Sequence, residues 1–217
     1  MIGLPKTTEF NKRIPKQKFY ENMDISPDLK KIFIEQVKII YWRNKIASTT
    51  TNLSKGTKVI ELEIFEIRLN SQDLDERLLK QIDMVIPYHI LFILEYQGKY
   101  KACIGYKEVA TSGNKSFNIS RYYYTKWLIG ENLLLKFEGI NVDAVYENFV
   151  RQIAGDNLNI KNVGESLKES ILRDEHKSTL KNQIAKLQAK ICNEKQLNKQ
   201  IQMNTELKKI KKELEAM

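Results

Sequence analysis

The chain of 217 residues is poor in cysteine, histidine and proline, and each scarcity removes a class of protein. Two cysteines, Cys103 in a strand-like run and Cys192 in a helix-like run, make neither a framework of bridges nor a zinc spacing, so reduced thiols are expected. The two histidines, His89 and His176, stand far apart and form no paired-histidine motif. No apolar run reaches the ~18 residues of a membrane span. Residues 1–20 are polar and lysine-studded, without the apolar stretch of a secretory signal. A cytoplasmic location with no membrane partner is expected. A Gly-rich phosphate loop and a nucleophile elbow are also missing, so the sequence assigns no catalytic residue, metal or cofactor.

What the chain has is a core and a positive charge. Hydrophobic residues make up 42% and charged residues 29%, with a net charge of +9. The charge is uneven: residues 1–58 hold 12 Lys and Arg against 5 Asp and Glu, residues 59–110 hold 6 against 9, and residues 161–217 hold 13 against 8. Basic ends around a neutral to acidic middle suit a polyanion or an acidic protein surface.

Residues 1–19, with Pro5 and Pro15, read as a basic extended lead-in, and residues 20–157 as an α+β core domain. Ser26 can cap a helix with Pro27 in its first turn, and Leu29, Ile32, Phe33, Val37, Ile40 and Tyr41 extend the helical spacing, predicting one helix from about Pro27 to Ile46. Val59 to Leu69 alternates as a long strand, with Glu61, Glu63, Phe65, Ile67 and Leu69 on one face. Asp73 to Met84 has helical spacing, and Pro87 forbids its continuation. Tyr88 to Tyr96, Gln97-Gly98 and Lys99 to Lys107 form the strongest local signal, a β-hairpin. Thr111 to Lys115 reads as a loop, Phe117 to Trp127 and Leu133 to Phe137 as strands, and Asn141 to Gly155 as a capped helix. The expected class is α+β, with a mixed or antiparallel sheet of four to five strands and packing helices.

Residues 161–217 form a helical tail. Leu180, Ile184, Leu187 and Ile191 are spaced 4-3-4, as are Met203, Leu207, Ile210 and Leu214. The two runs are out of phase, which predicts a break or stutter near Glu194 to Gln196. A helical hairpin and one stuttered coiled coil fit equally well. The seam residues Leu180, Ile184, Leu187, Ile191, Leu207, Ile210 and Leu214 are candidate partner-binding positions.

Two chemistries compete for the core domain. A restriction-type nuclease needs an acidic residue on one strand and Glu-x-Lys on the next, and Glu63, Glu66, Asp83, Glu95 and Lys99 are the available candidates. A two-residue turn at Gln97-Gly98 would place Glu95 and Lys99 on opposite faces; only a three-residue loop would align them. Nucleic-acid binding would instead draw on Lys12, Arg13, Lys16 and Lys18, on Arg43 and Lys45 beside Tyr41-Trp42, and on Arg121 and Lys126 around Tyr122-Tyr123-Tyr124. Aromatic rings stack bases while cations neutralise phosphate.

Several stretches carry a resemblance: Gly3-Leu4-Pro5, Asn11-Lys12-Arg13-Ile14-Pro15-Lys16, Tyr41-Trp42-Arg43-Asn44-Lys45, Ile86-Pro87-Tyr88-His89 and Tyr146-Glu147-Asn148-Phe149. Together they resemble the bacterial family called domain of unknown function 4391, over nearly the whole chain. The resemblance implies a setting beside helicase and DNA methyltransferase genes of restriction-modification or phage-defence loci, and it brings no catalytic residues. The function expected is therefore an accessory, non-catalytic subunit that binds DNA, a helicase or a methyltransferase, with self-association through the tail. A divergent Mg²⁺-dependent nuclease and a scaffolding or antitoxin-like protein are the alternatives.

Overall fold

The computed structural model describes residues 3–22, 25–109, 117–130, 133–162 and 164–217. The chain divides into two compact units, residues 1–155 and 156–217. The first is built on a mixed sheet of seven strands: β1 (Glu9–Ile14), β2 (Val37–Ile46), β3 (Leu62–Leu69), β4 (His89–Tyr96), β5 (Lys99–Val109), β6 (Phe117–Tyr124) and β7 (Leu128–Ile129). Spatial order follows sequence order from β1 to β6, and β7 pairs with the start of β5. Every neighbouring pair is antiparallel except β3 and β4, which run parallel across the helix α3 that joins them.

The helices of this unit are α1 (Lys16–Asn22), α2 (Pro27–Gln36), α3 (Glu76–Val85) and α4 (Val142–Ala154). Phe65, Ile67, Leu69, Ile90, Phe92, Leu94 and Cys103 of one sheet face form a core with Phe19, Leu29, Phe33, Leu78, Leu79 and Ile82 of α1 to α3. On the opposite face α4 lies against β5 and β6, with Val145, Phe149 and Val150 buried. Both faces of the central strands are covered, so β3 is buried along nearly its whole length.

The predicted helix over residues 27–46 is corrected. Ser26 caps it as expected, accepting from the Leu29 amide, but it stops at Gln36, and Val37 to Ile46 is strand β2. A Val-Lys-Ile-Ile-Tyr-Trp run is β-branched and aromatic, and pairing with β1 and β3 outweighs a spacing that suits either element. Lys16 closes the junction by donating from Nζ to the carbonyls of Ile34 and Val37. The expected strand Leu133 to Phe137 is also absent. Leu133 and Leu135 are buried and Leu134 exposed, as alternation requires, but the backbone is tied to α4 by side chains rather than by a ladder. The Lys136 amide donates to Gln152 (2.8 Å), which returns a bond to the Lys136 carbonyl (2.9 Å), and Asn148 donates to the Glu138 carbonyl (3.2 Å).

The Gln97-Gly98 hairpin forms in the expected register, with both residues at positive φ (49° and 75°) as a two-residue turn demands. Asn141 caps α4 through the Ala144 amide, and Gly155 ends it at φ 54°. The loop expected at Thr111 to Lys115 lies outside the described residues.

The second unit is a helical hairpin of α5 (Leu167–Asn193) and α6 (Leu197–Glu215), broken at the predicted Glu194 to Gln196. A capping box between Ser166 and Glu169 starts α5. His176 near its beginning meets Glu213 near the end of α6 at 3.1 Å, so the two helices run antiparallel.

Candidate functional site

The basic opening and the Tyr41-to-Lys45 cluster come together on β1 and β2. Paired residues in a sheet project to the same face. Arg13 is paired with Tyr41, Tyr41 with Glu66 and Glu66 with Ile93, so Arg13, Tyr41 and Glu66 share the α4 side of the sheet. The register of β2 against β3 slips between Trp42 and Asn44, leaving Arg43 as the extra residue of a β-bulge. Arg43, two residues after Tyr41, shares its face by alternation, and the bulge sends Lys45 to the opposite one.

There Arg43 Nε donates to Glu66 Oε2 at 2.8 Å, and Arg68 Nε donates to Glu66 Oε1 at 2.9 Å. Both guanidiniums lie over the Tyr41 ring, 4.5 and 5.1 Å from its centroid. Arg43 also donates to Asn11 Oδ1 at 3.2 Å. The Glu66 side chain is 1% exposed, while those of Arg43 and Arg68 are 27% and 40% exposed. Burial opposes ionisation of Glu66, but the hydrogen bonds from the two arginines outweigh it and hold the carboxyl below the usual range. The buried carboxylate thus fixes two part-exposed cations, with Arg13 on the same face of the sheet. Planar guanidinium forks held in this way suit phosphate.

The remaining predicted cations do not join this face. Lys12 is paired with Trp42 and Lys45 with Glu63, so both belong to the opposite side of the sheet, where Lys45 pairs with Glu61 at 2.7 Å. Lys16 binds the carbonyls at the end of α2, and Lys18 is exposed on α1. Arg121 lies on β6, 5.8 Å from the Tyr123 ring centroid, and exposed Lys126 follows that strand, both at the far edge from β1.

The five nuclease candidates are dispersed. Glu63 and Glu66 lie on opposite sheet faces, and Glu95 is paired with Tyr100 while Lys99 is paired with Tyr96, so Glu95 and Lys99 also diverge. Glu66 and Glu95 do share a face, but Arg68 stands next to both, 2.9 and 3.9 Å away. Asp83 on α3 is 1% exposed and belongs to the core. It accepts from the Tyr122 hydroxyl at 2.7 Å and pairs with buried Lys107 at 3.5 Å, whose Nζ also donates to the carbonyls of Asp83, Ile86 and Tyr88. His89, buried beside them against the Lys107 carbonyl, is pushed down to about 4 by desolvation and stays neutral. Among the described residues no group of three His, Cys, Asp or Glu could hold a metal ion.

Of the tail positions, Leu180 and Leu207 are buried, whereas Ile184, Leu187, Ile191, Ile210 and Leu214 are half-buried along the hairpin. Leu172, Leu197 and Ile201 are exposed on the same two helices. No described helix is long and apolar enough to cross a membrane.

Arg68 and Glu66 escaped the sequence as binding residues. The signal was there in Glu66-Ile67-Arg68, which places acid and base two apart on one strand face, but its meaning depends on Arg43 from a neighbouring strand.

Fold and face together define an α+β protein with an arginine-lined sheet surface followed by a helical hairpin. A family model described as "Domain of unknown function (DUF4391)" matches residues 2–214, and the chain belongs to that family. No curated protein and no solved structure matches the chain.

Proposed function

We propose that this protein is an accessory, non-catalytic subunit of a bacterial restriction-modification or phage-defence complex, acting in the cytoplasm. It holds DNA on the Arg13, Arg43 and Arg68 face and offers its helical hairpin to a helicase or DNA methyltransferase subunit. One observation carries this reading: buried Glu66 orients two guanidiniums over Tyr41 that both remain part-exposed. The dispersal of the acidic candidates, with a cation beside Glu66 and Glu95, favours an anion over a divalent metal at this face. The half-buried seam of the hairpin supports a partner role, because two helices alone leave one side of each apolar stripe uncovered.

Affinity purification of the tagged chain from its native host, with and without nuclease treatment, tests the assignment. Recovery of a helicase or methyltransferase that survives nuclease treatment supports it. A nuclease-resistant set of partners with neither enzyme in it overturns the subunit role.

A further inference from the structure

On the side of the sheet away from the arginine face, a cleft of about 550 Å³ is lined by the end of β1, α1, β2, β3, Val85 at the end of α3 and residues 86–88 after it. Its size falls within the usual range for a small-molecule site. Ile14, Phe19, Phe65, Ile86 and Pro87 make its apolar walls. The polar lining has two parts. Lys45 comes from β2, Glu63 from β3 and Glu61 from just before β3, and Lys18 comes from α1.

Glu63 is the unusual member. It lines the cleft yet is only 3% exposed. One oxygen accepts from the Trp42 indole at 2.7 Å, and Lys45, its cross-strand partner, turns its ammonium to Glu61 instead. Trp42 is itself held by stacking on Phe10, with centroids 4.4 Å apart. Burial is the largest effect on this carboxyl and Glu61 meets it as a second acid, while Lys45 attracts it only through space, so it is incompletely matched by cations, which is costly in an apolar wall. A ligand that hydrogen-bonds to it offsets that cost.

We propose that this cleft binds a nucleobase carrying an exocyclic amine, with the ring between the apolar walls, the amine on the Glu63 carboxyl and the nucleotide phosphate at Lys18. A flat ring fits aliphatic and aromatic walls, and a carboxyl oxygen accepts from an amino group as acidic side chains do from cytosine N4. The exposed lysine suits a phosphate as a point charge. Uracil and thymine offer a carbonyl where the amine would be, and against the ionised carboxylate two acceptors then face each other. Burial moves the Glu63 carboxyl up to about 7, so the amine preference belongs to its ionised form, above that pH. This site is independent of the arginine face.

Calorimetric titration of the full chain at pH 8 with AMP, CMP, UMP and adenosine tests it, beside single-stranded oligo-dA and oligo-dT at the same salt. AMP and CMP should bind about tenfold or more tightly than UMP. Lys18→Ala should weaken AMP but not adenosine, and Glu63→Met should bring AMP and UMP to the same affinity. The Arg13→Ala/Arg68→Gln chain serves as the control, since it should weaken oligonucleotides and leave AMP unchanged. If mononucleotides bind with the amine preference, the ligand is a free nucleotide; if only oligo-dA over oligo-dT shows it, the ligand is an unpaired base in a strand. Equal affinity for AMP and UMP together with equal affinity for the two oligonucleotides overturns the proposal, as does an absence of binding by all of them at millimolar concentration.

Discussion

Arg68 gives its Nε to Glu66 at 2.9 Å from two positions further along the same strand, while Arg43 reaches the other oxygen of that carboxylate from the neighbouring strand. Adjacent alternate residues of β3 are thus an acid and a base on one face, and Arg43, on the Tyr41 face of β2, brings a second base to the same acid. Because the carboxylate is buried and the cations are not, the arrangement fixes the arginines without concealing them.

Glu66→Gln should therefore lower stability by about 2 kcal/mol, since it leaves two guanidiniums around a neutral side chain; partial exposure of the arginines keeps the loss below that of a fully buried pair. Denaturant titration checks this. It should also weaken DNA binding in the folded protein, because Arg43 and Arg68 lose the group that orients them.

Gly105→Ala tests the buried network on the other side of the sheet. A Cβ at this position would lie 2.8 Å from the Tyr122 ring and 3.1 Å from Asp83 Oδ2, the oxygen that accepts the Tyr122 hydroxyl. Either the ring or the carboxylate must move, and a loss of about 1–3 kcal/mol is expected in thermal melts from overpacking. Tyr122→Phe should cost a similar amount by leaving that oxygen unpaired.

Glu63 makes stability depend on pH in a stated direction. Its carboxyl is pushed up to about 7 by burial, whereas in the unfolded chain it titrates near its ordinary 4.5. Between those values the folded state binds more protons, so stability is lost as pH rises from about 4.5 to 7 and then levels off, by about 3 kcal/mol in all. His89 has the opposite sign, since its depressed value of about 4 loses stability as pH falls below 6.5. Comparing Glu63→Gln with the parent chain cancels the His89 contribution. The variant should gain relative stability between pH 5 and pH 8 in thermal melts, and an unchanged difference would contradict the assignment.

How much of this was legible in the sequence depends on range. The Gln97-Gly98 hairpin and the Asn141 and Ser26 caps rest on chemistry within a few residues, and each was readable. Strand β2 was not, because Val37, Ile40 and Tyr41 fit a helix stripe as well as a strand, and only pairing with β1 and β3 decides between them. The tail's break at Glu194 was readable from the phase of its apolar runs, but the fold-back needed the contact between His176 and Glu213. At the candidate site, Tyr41 and Arg43 stood out as an aromatic-basic cluster. The bulge that separates Lys45 from Arg43 and the strand that supplies Glu66 and Arg68 are set by register, which no local pattern encodes.

Removing residues 156–217 should leave the first unit folded, because its sheet and the core between the sheet and α1 to α3 are complete within residues 1–155. A single cooperative melt and a monodisperse light-scattering profile are expected from the truncation, with loss of any assembly the full chain shows. Aggregation of the shortened chain would mean that the hairpin is needed for the first unit to fold.

The salt dependence of DNA binding is the most direct test of the arginine face. For the full chain, log affinity should fall linearly with log salt concentration, as it does when cations release counterions from phosphate. Arg13→Ala/Arg68→Gln should reduce the magnitude of that slope by about 2, whereas Lys16→Ala and Arg121→Ala should leave it nearly unchanged. A slope that is the same in the double variant and the parent, or an absence of binding by folded protein at ~50 mM salt, would contradict the account.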